Sequence, residues 1–217
     1  FDSIQDSSNK DQWSLSNYPI TVRTSYYYDY FYSLGDYIYI TKSSDNIDTY
    51  AIRLNDLIKL IKFRTGKEKV NIIAHSMGGL VSRRYIQIFG EDSVNKVILI
   101  GTPNKGIEGQ VKSFCHLFGE KRECQDMYND SILMKKLNSP LYQPEEAQYY
   151  TISGKGCDME GKDGDGIVTF ENSLLDYADS YVIEGSCPDT FNTALHNDLL
   201  NIDLYPEVYA YVIDILK

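Results

Sequence analysis

Nowhere in these 217 residues does an apolar run approach the roughly 20 residues that a membrane-spanning helix requires, the best stretch being Val97 to Ile100. Positive charge is equally scarce. Lys and Arg number 21 against 31 Asp and Glu, and no basic run relieves the net charge of -10, so a surface that neutralises nucleic-acid phosphates is excluded. The same acidity disfavours electrostatic adhesion to anionic lipid, and leaves open only transient contact with a membrane surface or lipid aggregate through apolar side chains. There is no starting Met and no charged-then-apolar leader, since the chain opens on Phe1; this reads as a processed or trimmed N-terminus. Tryptophan occurs once and tyrosine 19 times, an excess suited to half-buried positions at surfaces, grooves and sheet edges. Cysteine is limited to four residues without a Cys-x-x-Cys spacing, which argues against a metal site. They fall as two sequence neighbours, Cys115 with Cys124 and Cys157 with Cys187. Two loop-stapling disulfides would look this way and would place the chain outside the cytosol, secreted or at a cell surface. Three pairings exist for four cysteines, and unpaired buried thiols are the alternative.

The length suits one domain with a single large core, spanning residues 1–217. Ile20 to Thr24 alternates like a strand within a β-favouring unit from Tyr18 to about Tyr30, and Tyr37 to Ile40 predicts another strand. From Ile47 to Arg64 the apolar residues Ile47, Ala51, Leu54, Ile58 and Ile61 recur every three or four positions. Ser44 or Asp45 can cap that amphipathic helix, and Gly66 ends it. Val70 to Ala74 has the apolar character of a strand buried on both faces. Leu80, Val81, Tyr85, Ile86 and Phe89 predict a helix closed by Gly90, and Val94 to Ile100 a further strand stopped by Gly101-Thr102-Pro103. Helix and strand in alternation mean an α/β fold, a mostly parallel sheet with crossover helices. Asn104 to about Glu146 breaks the rhythm with short helical pieces such as Ile132 to Leu137; residues 107–144 are the candidate cap or lid insertion, a structural excursion being the alternative. A strand at Ala147 to Ser153, a Gly/Asp-rich loop from Gly154 to Gly166, a strand near Tyr181 to Ile183 and a helix after Pro206 complete the chain.

The chemistry centres on Ala74-His75-Ser76-Met77-Gly78-Gly79, between a buried strand and a helix. That is the context of a nucleophile elbow, where a serine on a strained turn projects its hydroxyl above the sheet and small neighbours let strand and helix approach. Met77 opens the helix, so its backbone N–H is the candidate oxyanion donor. A serine hydroxyl needs a base. Of the three histidines, His75 belongs to the elbow and is expected to point away from Ser76, and His116 lies in the insertion. His196 follows the last predicted strand and is the candidate base. The acid that orients it is expected upstream, among Asp158, Glu160, Asp163 and Asp165. Asp165 is favoured because Gly166-Ile167-Val168 anchors it, with Asp163 as the alternative. Asp163-Gly164-Asp165-Gly166 also looks like part of a calcium loop, yet twelve positions from Asp163 end on Leu174 where a bidentate Glu is wanted. No metal is expected.

These residues resemble the bacterial and archaeal class 2 lipases of the α/β-hydrolase fold and, more distantly, the inositol deacylases acting on glycolipid anchors. The resemblance runs from Ile47 to the C-terminus. It rests on Thr65-Gly66, on Lys69 through Val81 with its Ala74-His75-Ser76-Met77-Gly78-Gly79 core, on Gly101-Thr102-Pro103-Asn104-Lys105-Gly106, on Asp165-Gly166-Ile167-Val168 and on Leu195-His196. It implies hydrolysis of a lipid or other acyl ester through an acyl-enzyme on Ser76, Asp165 and His196, without a cofactor. The family also begins with a strand ending in His-Gly, whose loop gives a second oxyanion N–H, and this chain contains no His-Gly pair. Phe1 to Asn17, with Trp13, resembles the family's segment just downstream of that motif, so the expectation is that the N-terminal strands are missing, cleaved off or supplied as a separate piece. An acyltransferase using the same triad and a binding protein of the same fold are the competing functions.

Overall fold

The computed structural model describes residues 4–6, 20–24, 28–33, 36–41, 45–117, 120–187 and 195–217. Four parallel strands form its central sheet: β5 (Val70–His75), β6 (Val94–Ile100), β7 (Gln148–Lys155) and β10 (Asp179–Glu184), in the order β10-β7-β6-β5. The registers run parallel throughout, with His75 opposite Ile100, Ile100 opposite Ile152 and Ile152 opposite Tyr181. Upstream, β1 (Ile4–Asp6) and β2 (Thr21–Arg23) pair in parallel, and β3 (Tyr28–Ser33) and β4 (Asp36–Thr41) form an antiparallel hairpin. The predicted strand at Ile20 to Thr24 is strand only over β2, with Ile20 and Thr24 outside it, and Tyr37 to Ile40 lies in β4; Tyr18, Pro19 and residues 25–27 of the Tyr-rich unit lie outside the described residues.

β6 explains the layering. Val97 and Leu99 pack with Ala51, Ile58, Tyr85 and Ile86 of α1 (Ile47–Thr65) and α2 (Met77–Phe89) on one face. Ile98 and Ile100 pack with Val208, Val212 and Ile215 of α8 (Pro206–Leu216) on the other. A strand covered on both faces has no use for alternation, which is why it reads as a continuous apolar run. The cap of α1 differs from expectation: Asn46, not Asp45, occupies the N-cap and accepts the Thr49 N–H at 2.9 Å, while Asp45 accepts the N–H of Asn46 at 2.9 Å. Ser44 lies outside the described residues.

The stretch between β6 and β7 holds α3 (Gln110–Phe114), a 3-10 turn (Cys115–Leu117), α4 (Lys121–Met127) and α5 (Ile132–Leu137). Its apolar residues Ile107, Met127, Leu133, Met134 and Leu137 cluster with Ile47, Tyr50, Met77, Leu80 and Val81, so it is packed onto the beginnings of α1 and α2. A buried carboxylate holds it there: Glu123 is 1% exposed, accepts the Tyr50 hydroxyl, and closes a capping box by accepting the Glu120 N–H at 2.9 Å. Where the chain returns to β7, Glu91 gathers the N–H groups of Glu145, Glu146 and Ala147 at 3.0, 2.6 and 2.6 Å.

The Gly154 to Gly166 segment is not the open loop that its composition predicts. It contains an antiparallel hairpin, β8 (Cys157–Met159) and β9 (Lys162–Gly164). Glu160 and Gly161 form its turn with φ of 56° and 83°, the positive values that a type I′ two-residue hairpin loop demands at both central positions. A glutamate is an unusual occupant there, and this is why the turn escapes a reading by composition. Both disulfides form, Cys115–Cys124 and Cys157–Cys187, the second tying β8 to the segment after β10. Among the described residues no helix is long and apolar enough to cross a membrane.

Candidate active site

All four sheet strands point the same way, so their carboxyl ends share one edge, and a ligand crevice at that edge is the rule for open α/β sheets. Ser76 follows β5, Gly101 follows β6, Asp165 follows the hairpin after β7, and His196 sits in the short helix α7 (Leu195–Asp198) after β10. The topology thus collects four residues that are far apart in sequence.

Ser76 has φ 54° and ψ -131°, a costly conformation for a non-glycine residue that persists only where the surroundings impose it. Its N–H donates to the Ile100 carbonyl at 2.9 Å, and its carbonyl accepts the Gly79 N–H at 3.0 Å, so strand β6 and the first turn of α2 hold the bend from two sides. Gly79 allows the close approach: a Cβ there would lie 2.1 Å from Thr102 Oγ1. Met77 opens α2, where main-chain N–H groups have no intrahelical acceptor.

His196 bridges the other two residues. Its Nε2 lies 2.9 Å from Ser76 Oγ, and its Nδ1 lies 2.8 Å from Asp165 Oδ2. With Nδ1–H donating to the carboxylate, Nε2 of the neutral ring is left to accept the serine proton. Asp165 is 1% exposed and His196 4%. The second carboxylate oxygen of Asp165 accepts the N–H groups of Ile167 and Val168 at 2.9 and 2.7 Å, so the turn that anchors the acid also satisfies it. The alternative acid, Asp163, is turned elsewhere and accepts the Gly156 N–H at 2.6 Å. Gly101, with φ 54°, passes close over the pair; a Cβ there would sit 3.2 Å from His196 Nδ1 and 3.3 Å from Asp165 Oδ2.

His75 turns its ring to His196, a contact that the elbow pattern does not foresee. Its ring centroid is 4.7 Å from that of His196, and its Nε2 lies 2.9 Å from the His196 carbonyl oxygen. Burial, then the neighbouring His196, hold His75 down from its ordinary 6.5 to about 4. No pattern of spacing links residues 75 and 196, so no sequence signal could have found this contact. His116 is exposed in the 3-10 turn that follows α3. Residues 7–19, which hold Trp13 and most of the segment expected to follow a His-Gly loop, lie outside the described residues. Among the described residues no group of His, Cys, Asp and Glu is arranged to hold a metal ion.

The family model of the alpha/beta hydrolase fold matches residues 14–150. A triacylglycerol lipase of Pseudarthrobacter phenanthrenivorans is 30% identical over 118 residues, which are 45% of this chain and 37% of that protein. A triacylglycerol lipase of Burkholderia plantarii is likewise 30% identical over 118 residues, covering 45% of this chain and 33% of its own length. The chain therefore spans about a third of the length of these curated relatives. Among solved structures, the mature lipase BlEst2 of Bacillus licheniformis superposes with a TM-score of 0.56 at 18% identity, over 80% of this chain and 78% of that one, a likeness of fold.

Proposed function

The chain belongs to the alpha/beta hydrolase fold family, and from that premise we propose that it is a serine hydrolase of lipid or other acyl esters, with Ser76 as nucleophile, His196 as general base and Asp165 as the acid that orients His196. The observation that carries this is the single imidazole placed 2.9 Å from a hydroxyl on a strained turn and 2.8 Å from a buried carboxylate. In that geometry Ser76 Oγ attacks the ester carbonyl carbon while His196 Nε2 takes its proton. Asp165 stabilises the imidazolium and keeps the ring in its tautomer. The tetrahedral oxyanion is met by the Met77 N–H at the positive end of α2. Collapse expels the alkoxide, which leaves as the alcohol by taking from His196 the proton that came from Ser76, and an acyl group remains on Ser76. Water, deprotonated by the same histidine, then attacks the acyl carbon, and collapse releases the acid as His196 returns the proton to Ser76 Oγ. A second oxyanion donor belongs to the family's N-terminal loop, and loss of one donor costs on the order of a hundredfold or more in rate.

Two triacylglycerol lipases among the relatives support a lipid ester as substrate. Residues 107–144 are the segment proposed to cap the site, within a single domain. The two disulfides support an extracytoplasmic location, secreted or at the cell surface.

Labelling with a fluorophosphonate probe, read by intact mass, tests the assignment. The wild type is expected to gain one adduct, Ser76→Ala none, and His196→Ala and Asp165→Ala to react far more slowly. A folded wild type that takes no label, or a Ser76→Ala variant that does, would overturn it.

A further inference from the structure

We propose that His75 is a positioning residue, whose imidazole grips the main chain of His196 so that the base stays in register with the adjacent nucleophile Ser76. The proposal rests on the assignment of Ser76 and His196 made above. Two hydrogen bonds join the same two segments, one from each member of the His75-Ser76 pair: His196 Nε2 to Ser76 Oγ at 2.9 Å, and His75 Nε2 to the His196 carbonyl at 2.9 Å. A carbonyl only accepts, so His75 Nε2 carries the proton and the neutral ring is the Nε2–H tautomer.

The anchor is itself fixed. His75 pairs with Ile100 in the sheet, and the next residue donates its N–H to the Ile100 carbonyl at 2.9 Å. On its other side the His196 main chain is held by the acid, since its N–H donates to the Asp165 carbonyl at 2.9 Å. Residue 196 is thus clamped at its N–H by the acid's residue and at its C=O by the residue before the nucleophile. The backbone of residue 196 is fixed from both sides, and its side chain then has little freedom to drift from Ser76.

The charged and titratable groups that face His75 are His196 from α7 and Asp165 from the loop after β9. With His75 neutral, the imidazolium that forms on His196 during attack meets a tilted neutral ring at 4.7 Å. A protonated His75 would place a second cation there and oppose the proton transfer.

Two variants separate the grip from mere filling of space. His75→Phe keeps an aromatic ring and loses the donor; His75→Gln loses the ring and keeps an N–H at similar reach. The readouts are kcat and KM for a short-chain 4-nitrophenyl ester across pH, the fluorophosphonate labelling rate, and Tm. His75→Phe is expected to lower kcat and the labelling rate by roughly 10- to 100-fold at unchanged KM, the cost of a misplaced catalytic group, and His75→Gln to restore most of the loss. Full activity in His75→Phe, or equal losses in both variants, would overturn the proposal. A readout free of catalysis is nitrogen-15 NMR of the three histidines in the wild type. It is expected to show the neutral His75 ring as the Nε2–H tautomer, and an Nδ1–H tautomer would overturn the proposal. A wild type that takes no label defeats the serine-hydrolase assignment instead, while the NMR result still decides whether His75 holds His196.

Discussion

Replacing Arg83 probes how the insertion is fastened to α2, the helix that follows Ser76. Arg83 lies seven residues beyond Ser76 on α2, is 2% exposed, and has no carboxylate in ion-pair distance among the described residues. Its guanidinium instead serves neutral acceptors. Nη1 donates to the Asn104 carbonyl at 2.7 Å and to Asn104 Oδ1 at 3.3 Å, and Nη2 donates to the Leu137 carbonyl and to Asn138 Oδ1, both at 2.9 Å. One side chain therefore ties α2 to the turn after β6 and to the end of α5. In Arg83→Met the Asn104 carbonyl keeps a donor, Asn138 Nδ2 at 3.0 Å, and Oδ1 of the exposed Asn138 can accept from water in place of Arg83. The Leu137 carbonyl and the buried Asn104 Oδ1 are left unpaired, at ~1–3 kcal/mol each. Relief from burying a charge offsets part of this, for a net loss of about 3 kcal/mol. For a chain of this size that corresponds to a fall in Tm of about 6–12 °C. Arg83→Lys is expected to be no better, because a compact ammonium reaches one of the two acceptor pairs and remains a buried cation with fewer partners. Thermal unfolding followed by circular dichroism measures both. A methionine variant within about 2 °C of wild type, or a lysine variant that matches wild type, would refute the claim that the fork geometry stabilises this junction.

Gly79→Ala should cost ~1–3 kcal/mol by overpacking against Thr102; because Thr102 Oγ1 has no hydrogen-bond partner among the described residues, Thr102→Ala should return part of that loss in the double variant. Strictly additive Tm changes would contradict the contact. Removing Cys157–Cys187, which closes a separation of 30 residues around Asp165, is expected to cost about 3.5 kcal/mol, against about 2.5 for Cys115–Cys124 with its separation of 9; denaturant midpoints of the two double-serine variants give the order, and the reverse order would refute it. Stability should also follow His75. The unfolded chain protonates this group near 6.5 and the fold only near about 4, so its contribution is complete above 6.5 and is lost as pH falls through about 4. It amounts to at most about 3 kcal/mol, and a denaturation series from pH 7 to 4 whose slope is unchanged in His75→Gln would refute it.

What the sequence discloses here depends on whether a feature repeats. β6 is legible because burial on both faces leaves an apolar run, and α1 and α2 because their apolar residues recur at the helical period; β5, read in the same way as β6, instead lies at the end of the described sheet and exposes Asn71 and Ile73, the latter at 42%. The anchor of Asp165 is legible for a related reason. Ile167 and Val168 mark a turn that returns to the core, and it is their N–H groups that occupy the free oxygen of the acid. Single contacts across long separations leave no such trace. Arg83 reads as one more charged helical residue, and nothing in its neighbours states that carbonyls of Asn104 and Leu137 await it. Glu123 reads as solvated, although it is buried under Tyr50. His75 reads as part of a motif, and the motif specifies the turn rather than the direction of the ring. Even the hairpin at Cys157 to Gly164 hides behind a glutamate in a left-handed position. The contacts of Arg83, Glu123 and His75 are decided by what the fold brings to each side chain from 21 to 121 residues away, which a reading of local pattern does not contain. The elbow and its helix could therefore be placed from sequence, whereas the contacts that join His196 and the insertion to them required the fold.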